Sequence, residues 1–362
     1  MSKKIKALIA VGGTGGHVFP GCNLAKHFTE QNYEVILTTD KRGSKFLNKF
    51  SNLNIYKLPS SPLNKKNIFK LIFSSIFIIY SILRSVVFLL TYRPSIVFGM
   101  GGYASFPICI AAKFLTIKFV IYENNLVIGK ANKILLPFAE KIIVSYKELE
   151  GISEQYHHKI FQTGNIIKKE IINFEKNKIL EKKINLLVLG GSQAAKIFAE
   201  KLPNIFEKCK TSGFQIKIYQ HCMPAQNDKL KEFYKKANID FEIFNFSDNL
   251  IEYFSKTNLA ITRSGSSMLA ELTNANIPFI SIPLPSSADN HQLKNAEYYQ
   301  RKNFAFMVQE KDLNIKLFNL IKEIYENNEI LEEIIINQRQ HSDKNVYNNI
   351  DLILKEIINE KN

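Results

Sequence analysis

The chain has 362 residues, 46% of them hydrophobic, which excludes a disordered tail and leaves room for two packed cores. Lysine and arginine total 48 against 33 acidic residues, a net charge of +15, so an anionic partner is expected. The four cysteines, Cys22, Cys109, Cys209 and Cys222, form no CxxC pair. That excludes a zinc ribbon or disulfide framework and reads as reduced, mostly buried thiols of a cytosolic protein.

Residues 1–6 are basic, but the apolar run at 7–11 is too short for the core of a signal peptide and ends in glycines, so no export signal is expected. Residues 5–11 predict a buried strand. The loop Gly12-Gly13-Thr14-Gly15-Gly16-His17 follows, then a helix from about 18 to 31 and a second strand at 34–38. No Asp or Glu occurs from 41 to 122, while twelve basic residues do: Lys41, Arg42, Lys45, Lys49, Lys57, Lys65, Lys66, Lys70, Arg84, Arg93, Lys113 and Lys118. Inside that window residues 68–90 are rich in Ile, Phe, Leu and Val. This segment reads as an interfacial helix, a buried core helix or a tilted span. Lys70 and Arg84, with the basic residues around them, favour the interfacial form held by apolar burial and anionic headgroups.

Residues 95–98 predict a strand, followed by Gly99-Met100-Gly101-Gly102 and a helix. Strands at 118–122 and 141–145 extend the pattern. After the Lys/Asn/Glu-rich stretch 168–183 the same grammar restarts. A strand at 184–189 runs into Gly190-Gly191-Ser192-Gln193. A helical spacing then links Ala195, Phe198, Leu202 and Phe206. Strands at 216–219, 259–262 and 279–282 follow, and a helical pattern runs from about 330 to the end. Strands alternating with helices predict an α/β fold of two doubly wound, Rossmann-like sheets in tandem, with a hinge near Thr163-Gly164-Asn165 and a cleft between the domains.

The glycine loops permit positive φ and close backbone approach, and each opens a helix whose first N–H groups favour an anion. A plain strand-to-helix turn is the alternative. The first loop is not the dinucleotide fingerprint, because Val18 stands where the third glycine belongs. In Thr262-Arg263-Ser264-Gly265-Ser266-Ser267-Met268 the hydroxyls are expected to cap the next helix. Glu271 then either accepts bonds from the two hydroxyls of a ribose or merely favours the helix dipole.

Taken together these segments resemble the MurG-type N-acetylglucosaminyltransferases of glycosyltransferase family 28. The resemblance rests on Gly12 to Pro20, Gly101-Gly102-Tyr103-Ala104-Ser105-Phe106-Pro107, Glu123-Asn124-Asn125, Gly190-Gly191-Ser192-Gln193, Arg263-Ser264-Gly265 through Glu271, and Asp289-Asn290-His291-Gln292 with Asn295-Ala296. It implies a GT-B fold with three parts. Residues 1–163 would form an acceptor- and membrane-binding domain and 164–340 a UDP-sugar-binding domain, while 341–362 would be a helix returning to the first.

The implied reaction is inverting transfer of N-acetylglucosamine from UDP-N-acetylglucosamine to the muramyl 4-hydroxyl of a lipid-linked muramyl-pentapeptide. No cofactor, metal or nucleic acid is implied. The place of work would be the cytoplasmic face of the cell membrane, peripherally and against an anionic surface. Donor contacts carry over to Thr14, Gly15, Gly16, Asn125, Lys168, Ser192, Ser247, Ser266, Ser267, Met268, Leu269, Ala270, Glu271 and Gln292, and Tyr103 lies on the acceptor side. The chain departs from the family at Ile166-Ile167-Lys168, where Pro-Val-Arg is common, at Tyr122, where His is common, and at Ala194, where Gly is usual. Lys168 keeps the charge but not the bidentate fork.

Attack by a sugar hydroxyl needs a base. His17 suits the role by its ordinary titration range, or else it only braces the glycine turn. Glu123 is the rival base or an orienting partner. A UDP-sugar epimerase and a lipid glycosyltransferase with a diacylglycerol acceptor are the enzyme alternatives. A non-enzymatic membrane-docking or nucleic-acid-binding module would explain the charge but not the glycine loops.

Overall fold

The computed structural model describes residues 4–48, 50, 52–63, 67–175, 183–191, 195–247 and 249–359. It divides into two compact units, residues 1–167 with 343–362, and residues 168–342.

Unit 1 holds strands β1 (Lys6–Ala10), β2 (Glu34–Thr39), β3 (Ile55–Lys57), β4 (Ile96–Gly99), β5 (Phe119–Glu123), β6 (Lys141–Val144) and β7 (Ile160–Gln162). They form a parallel sheet of order β3-β2-β1-β4-β5-β6-β7. Its helices are α1 (Gly15–Glu30), α2 (Ser44–Leu47), α3 (Ile68–Tyr92), α4 (Gly102–Phe114) and α5 (Lys130–Leu135). Ala7, Leu8, Ile9 and Ala10 are all fully buried, as expected of a strand covered by helices on both faces.

Unit 2 repeats the plan. Helix α6 (Lys169–Ile172) precedes strands β8 (Ile184–Leu189), β9 (Ile216–His221), β10 (Asp240–Phe244), β11 (Leu259–Thr262), β12 (Phe279–Ser281) and β13 (Phe306–Met307). The sheet order is β10-β9-β8-β11-β12-β13, again parallel. Helices α7 (Lys196–Thr211), α8 (Asn227–Lys236), α9 (Leu250–Lys256), α10 (Ser266–Asn274), α11 (His291–Arg301), α12 (Phe318–Glu326) and α13 (Glu329–Gln340) complete it. The last helix, α14 (Val346–Asn359), belongs to unit 1. There Asp351 meets the buried His27 of α1 at 2.9 Å, Lys118 Nζ donates to the Ile357 carbonyl at 3.0 Å, and Tyr347 OH donates to the Ile167 carbonyl at 2.7 Å.

In each sheet the strand order reverses beside its first strand, between β1 and β4 and between β8 and β11. Loops leaving the carboxyl ends of strands at such a switch point are where open α/β sheets bind ligands. The glycine loops read from the sequence leave these four strands.

Helix α3 does not have the usual amphipathic arrangement. It packs on α4, but the residues it buries include Ser74, Ser81 and Ser85, while Phe69 and Phe73 are 71% and 73% exposed. Ile68, Ile72, Ile76, Ile79, Leu83 and Val87 are exposed as well. The three serines return their hydroxyls to carbonyls of the helix itself, at Leu71, Phe77 and Ser81, so their small side chains let the helices approach without leaving a buried polar group unmet. The core-helix reading of this segment is therefore overturned. Its apolar side faces outward, and by length and composition it could cross a membrane.

Candidate active site

In unit 1 the first three motifs meet. Thr14 precedes α1 in extended conformation, but its hydroxyl makes no capping bond. The helix begins at Gly15, earlier than the expected start near Val18, so Gly15 and Gly16 contribute first-turn N–H groups that no intrahelical carbonyl can accept. The His17 ring lies against the second loop. A Cβ on Gly101 would stand 3.0 Å from its Nδ1 and Cε1, and one on Gly102 would stand 3.3 Å from its Cδ2. Both glycines also have positive φ, +88° and +73°, so steric room and backbone conformation each require glycine there.

The third motif is tied to the first through Asn124, whose Nδ2 donates to the Gly16 carbonyl at 2.9 Å. Beside it Glu123 is buried and receives four N–H donors. Asn125 N and Nδ2 reach Oε1 at 3.1 and 3.0 Å, and Gly129 N and Asn132 Nδ2 reach Oε2 at 2.9 and 3.0 Å. A carboxylate committed in this way holds a loop and is poorly placed to take a proton from a sugar hydroxyl. The reading of Glu123 as a rival base does not fit this geometry. Tyr122 is also structural: its hydroxyl lies 3.0 Å from Ser145 Oγ and accepts the Ile166 N–H at 3.1 Å. Tyr103 is exposed, with the Arg42 guanidinium 5.7 Å over its ring.

The sequence reading missed Asp40. This buried carboxylate, directly after β2, accepts the N–H groups of Gly43 at 2.7 Å and Gly13 at 3.3 Å, Arg42 Nε at 3.2 Å and Ser60 Oγ at 3.2 Å. Burial works against its charge, but the Gly43 and Gly13 N–H groups and then Arg42 outweigh burial and hold the carboxyl below its ordinary value. Asp40 therefore fixes the first glycine loop from below. The one available signal was its position as the last acid before the acid-free window.

In unit 2, Gly191 has φ +75°. The expected contact Ser192, with Gln193 and Ala194, lies outside the described residues. Helix α10 is preceded by Gly265, and no side chain caps it, which corrects the expected hydroxyl cap. Ser264 instead shares a 2.7 Å hydrogen bond with Ser281 of β12, and its carbonyl accepts Asn295 Nδ2 at 3.2 Å. Arg263 is buried. It pairs with Glu310, donates to the carbonyls of Ile282 and Pro283 at 3.3 Å each, and lies 4.8 Å over the Phe198 ring. Neither Glu310 nor Asn295 was read from the sequence as a support of this loop.

Along α10, Leu269 and Ala270 are fully buried, so their side chains fill the core and leave only backbone for a ligand. Ser267, Met268 and Glu271 are partly exposed. Burial raises the Glu271 carboxyl to about 7, with the Lys168 ammonium drawing it the other way. Lys168 therefore belongs to the same electrostatic neighbourhood. Gln292 Oε1 accepts the Leu284 N–H at 3.0 Å, and its own N–H reaches Ser287 Oγ at 3.3 Å. Asp289 and Asn290 before it both adopt left-handed backbone, φ +49° and +54°, a strained pair for non-glycine residues. Ser247, after β10, accepts the Asn249 N–H at 3.1 Å.

Comparison with known proteins also finds two domains. Residues 7–144 match the model of the glycosyltransferase family 28 N-terminal domain, and residues 185–350 match that of its C-terminal domain. A protein of Pelagibacter ubique named UDP-N-acetylglucosamine–N-acetylmuramyl-(pentapeptide) pyrophosphoryl-undecaprenol N-acetylglucosamine transferase is 37% identical, over 99% of this chain and 100% of its own length. Among solved structures, Acinetobacter baumannii MurG superposes with a TM-score of 0.78 at 24% identity, covering 97% of this chain and 99% of that one. A Listeria monocytogenes protein described as a UDP-N-acetylglucosamine 2-epimerase superposes with a TM-score of 0.68 at 14% identity, covering 99% and 98%.

Asp40→Asn should destabilise unit 1 by about 1–3 kcal/mol at neutral pH, because an amide cannot accept the same set of donors. Folding lowers the value of this carboxyl. Its contribution is therefore fully present above the unfolded value near about 4 and is lost as pH falls through the lower folded value. Urea unfolding of both proteins should show the gap closing in acid. An equal gap at pH 7 and in acid would mean that charge is not what Asp40 contributes.

Proposed function

This chain belongs to glycosyltransferase family 28, and from that premise we infer that it is the UDP-N-acetylglucosamine-dependent hexosyltransferase of peptidoglycan synthesis. It moves N-acetylglucosamine onto the 4-hydroxyl of the muramyl sugar of undecaprenyl-diphospho-N-acetylmuramoyl-pentapeptide, with inversion. The observation that carries this reading is the full-length likeness to a transferase of that name. The epimerase fold is similar, but epimerisation of a soluble sugar nucleotide gives no use to the outward apolar side of α3, whereas a lipid-borne acceptor does.

In this reading unit 2 holds the donor. Glu271 accepts bonds from the ribose hydroxyls, backbone near Ser247 meets the uracil, and Gln292, Lys168 and the loop containing Ser192 complete the contacts. The leaving diphosphate faces the first N–H groups of α10, where a helix amino terminus stabilises negative charge without a cation. Unit 1 supplies the acceptor side. Tyr103 lies beside the acceptor, His17 takes the proton of the attacking hydroxyl, and Thr14, Gly15, Gly16 and Asn125 on the glycine-loop surface are further donor contacts. The muramyl oxygen then bonds to the anomeric carbon from the face opposite the departing UDP.

The direct test is UDP release from UDP-N-acetylglucosamine. Release should require the lipid-linked muramyl acceptor and should not occur with diacylglycerol. His17→Ala should cut it by about 10²–10⁴-fold. Release with diacylglycerol, or acceptor-independent conversion of the donor, would overturn the assignment.

We further infer that α3 docks unit 1 on the anionic cytoplasmic face of the cell membrane, with its phenylalanines and isoleucines in the interface and Lys70 and Arg84 at the headgroups. Phe69→Ser with Phe73→Ser should weaken binding to anionic vesicles at every salt concentration, by roughly 1.5 kcal/mol per ring. Lys70→Glu with Arg84→Glu should weaken it by about 1 kcal/mol per site, and only at low salt. Turnover on a short, water-soluble acceptor should be unchanged in both. Co-sedimentation of the phenylalanine variant at wild-type levels would rule out α3 as the docking face.

A further inference from the structure

His17 stands where two helices begin. α1 starts at Gly15, and α4 starts at Gly102, the residue whose Cβ would meet the His17 ring. A helix amino terminus disfavours a cation, so a protonated His17 is opposed from both sides. A base that gains a proton in the reaction needs something to offset that opposition.

Among the described residues, charged and titratable groups on the neighbouring loops include Asp40 and Arg42 after β2, Tyr103 on α4, Glu123 at the end of β5, Lys130 at the start of α5, and Asp343 before α14. Asp40 is committed to Arg42 and to the N–H groups of Gly13 and Gly43. Arg42 and Lys130 have the wrong sign. Asp343, also buried in this unit, is committed to the Asn165 N–H at 2.9 Å, whereas two links join the buried Glu123 to His17. Asn124, its neighbour, bonds the carbonyl of Gly16, the residue before His17. Asn132 bonds Glu123 Oε2 at 3.0 Å, and its Nδ2 lies 3.6 Å from the same Cβ position at Gly101 that is 3.0 Å from His17 Nδ1. The orientation of this amide is fixed, because its nitrogen end donates to two acceptors, Tyr122 O at 2.9 Å and Glu123 Oε2. Its Oδ1 is buried with no hydrogen-bond partner.

We propose that Glu123, held in place by the amide of Asn132, is a positioning residue that supplies the counter-charge for protonated His17. The function rests on His17 being the base, while the electrostatic coupling itself does not. Glu123 does not receive the proton. It lowers the energy of the imidazolium that forms when the muramyl hydroxyl gives its proton to His17, and Asn132 holds the carboxylate behind the second glycine loop. This accounts for a carboxylate buried behind a glycine loop with every lone-pair direction directed by protein N–H groups.

The test is an NMR titration of His17 in the full-length chain, with labelled histidine and assignment by the His17→Ala spectrum. Glu123→Gln should lower the His17 pKa by about one unit or more, about tenfold in proton affinity. Glu123→Asp, which keeps the charge while disturbing the same N–H groups, should stay close to wild type. An unchanged value in Glu123→Gln, or an equal fall in Glu123→Asp, would overturn the proposal, since a merely structural role predicts the same response to both. If Glu123→Gln does not fold, Asn132→Ser carries the test: a fall of the same sign supports the proposal and an unchanged value overturns it. The acid limb of the turnover profile, measured in parallel, should move with the NMR value. Movement of the NMR value without the limb would leave the counter-charge standing and remove His17 as the base.

Discussion

Unit 1 depends on the close approach of two glycine loops at the switch point of its sheet. The end of β1 and the end of β4 come so near that a Cβ on Gly12 would overlap that of Ala104 and one on Gly101 would press on His17. Because the backbones can meet there, two helix amino termini open onto one place, and the side chains around them have fixed tasks. Asp40 holds the first loop, Glu123 holds the loop after β5, and Asn124 ties the two together. A single methyl group at this junction would separate these parts before it changed any charge.

Much of this was legible in the sequence because parallel strands buried on both faces are written as unbroken apolar runs. The strands at 184–189 and 259–262 fall where they were read, and the other central strands differ at their ends by a residue or two. The strands that were not read, β3, β7, β10 and β13, lie at or beside the sheet edges, where half-exposed side chains dilute the apolar signal. The glycine motifs identified the loops, since glycine is demanded by φ and by contact. They did not identify Asp40, Asn132 or Glu310, whose roles come from partners distant in sequence and have no local spacing to show them. The expected hydroxyl cap on α10 failed for a related reason. The cap position falls on Gly265, which has no side chain, and Ser264 one residue earlier bonds the serine of a neighbouring strand instead.

Helix α3 shows composition and burial pulling apart. Its apolar content alone suits a core, an interface or a span equally. The position of its serines decides between the first and the others, because only with the small residues turned toward α4 are the phenylalanines left facing out. A helix of ordinary pattern would have hidden them. In the proposed docking, the acid-free window around it gains a physical sense, as a carboxylate on this side would repel an anionic surface.

In the proposed reaction Glu271 receives the ribose of the donor, and calorimetric UDP binding to wild type and Glu271→Gln between pH 6 and 8 tests this. The ionised carboxyl accepts bonds from both hydroxyls more strongly than the neutral acid, and burial raises this carboxyl to about 7. The wild-type advantage over the variant should therefore be small at pH 6 and grow as pH rises through about 7. It should reach on the order of 1.5–3 kcal/mol at pH 8, the usual worth of a hydrogen bond to a charged group. The titration of UDP's own phosphate is common to both proteins and cancels in the comparison. Equal affinities at pH 8 would contradict the assignment of Glu271 to the ribose.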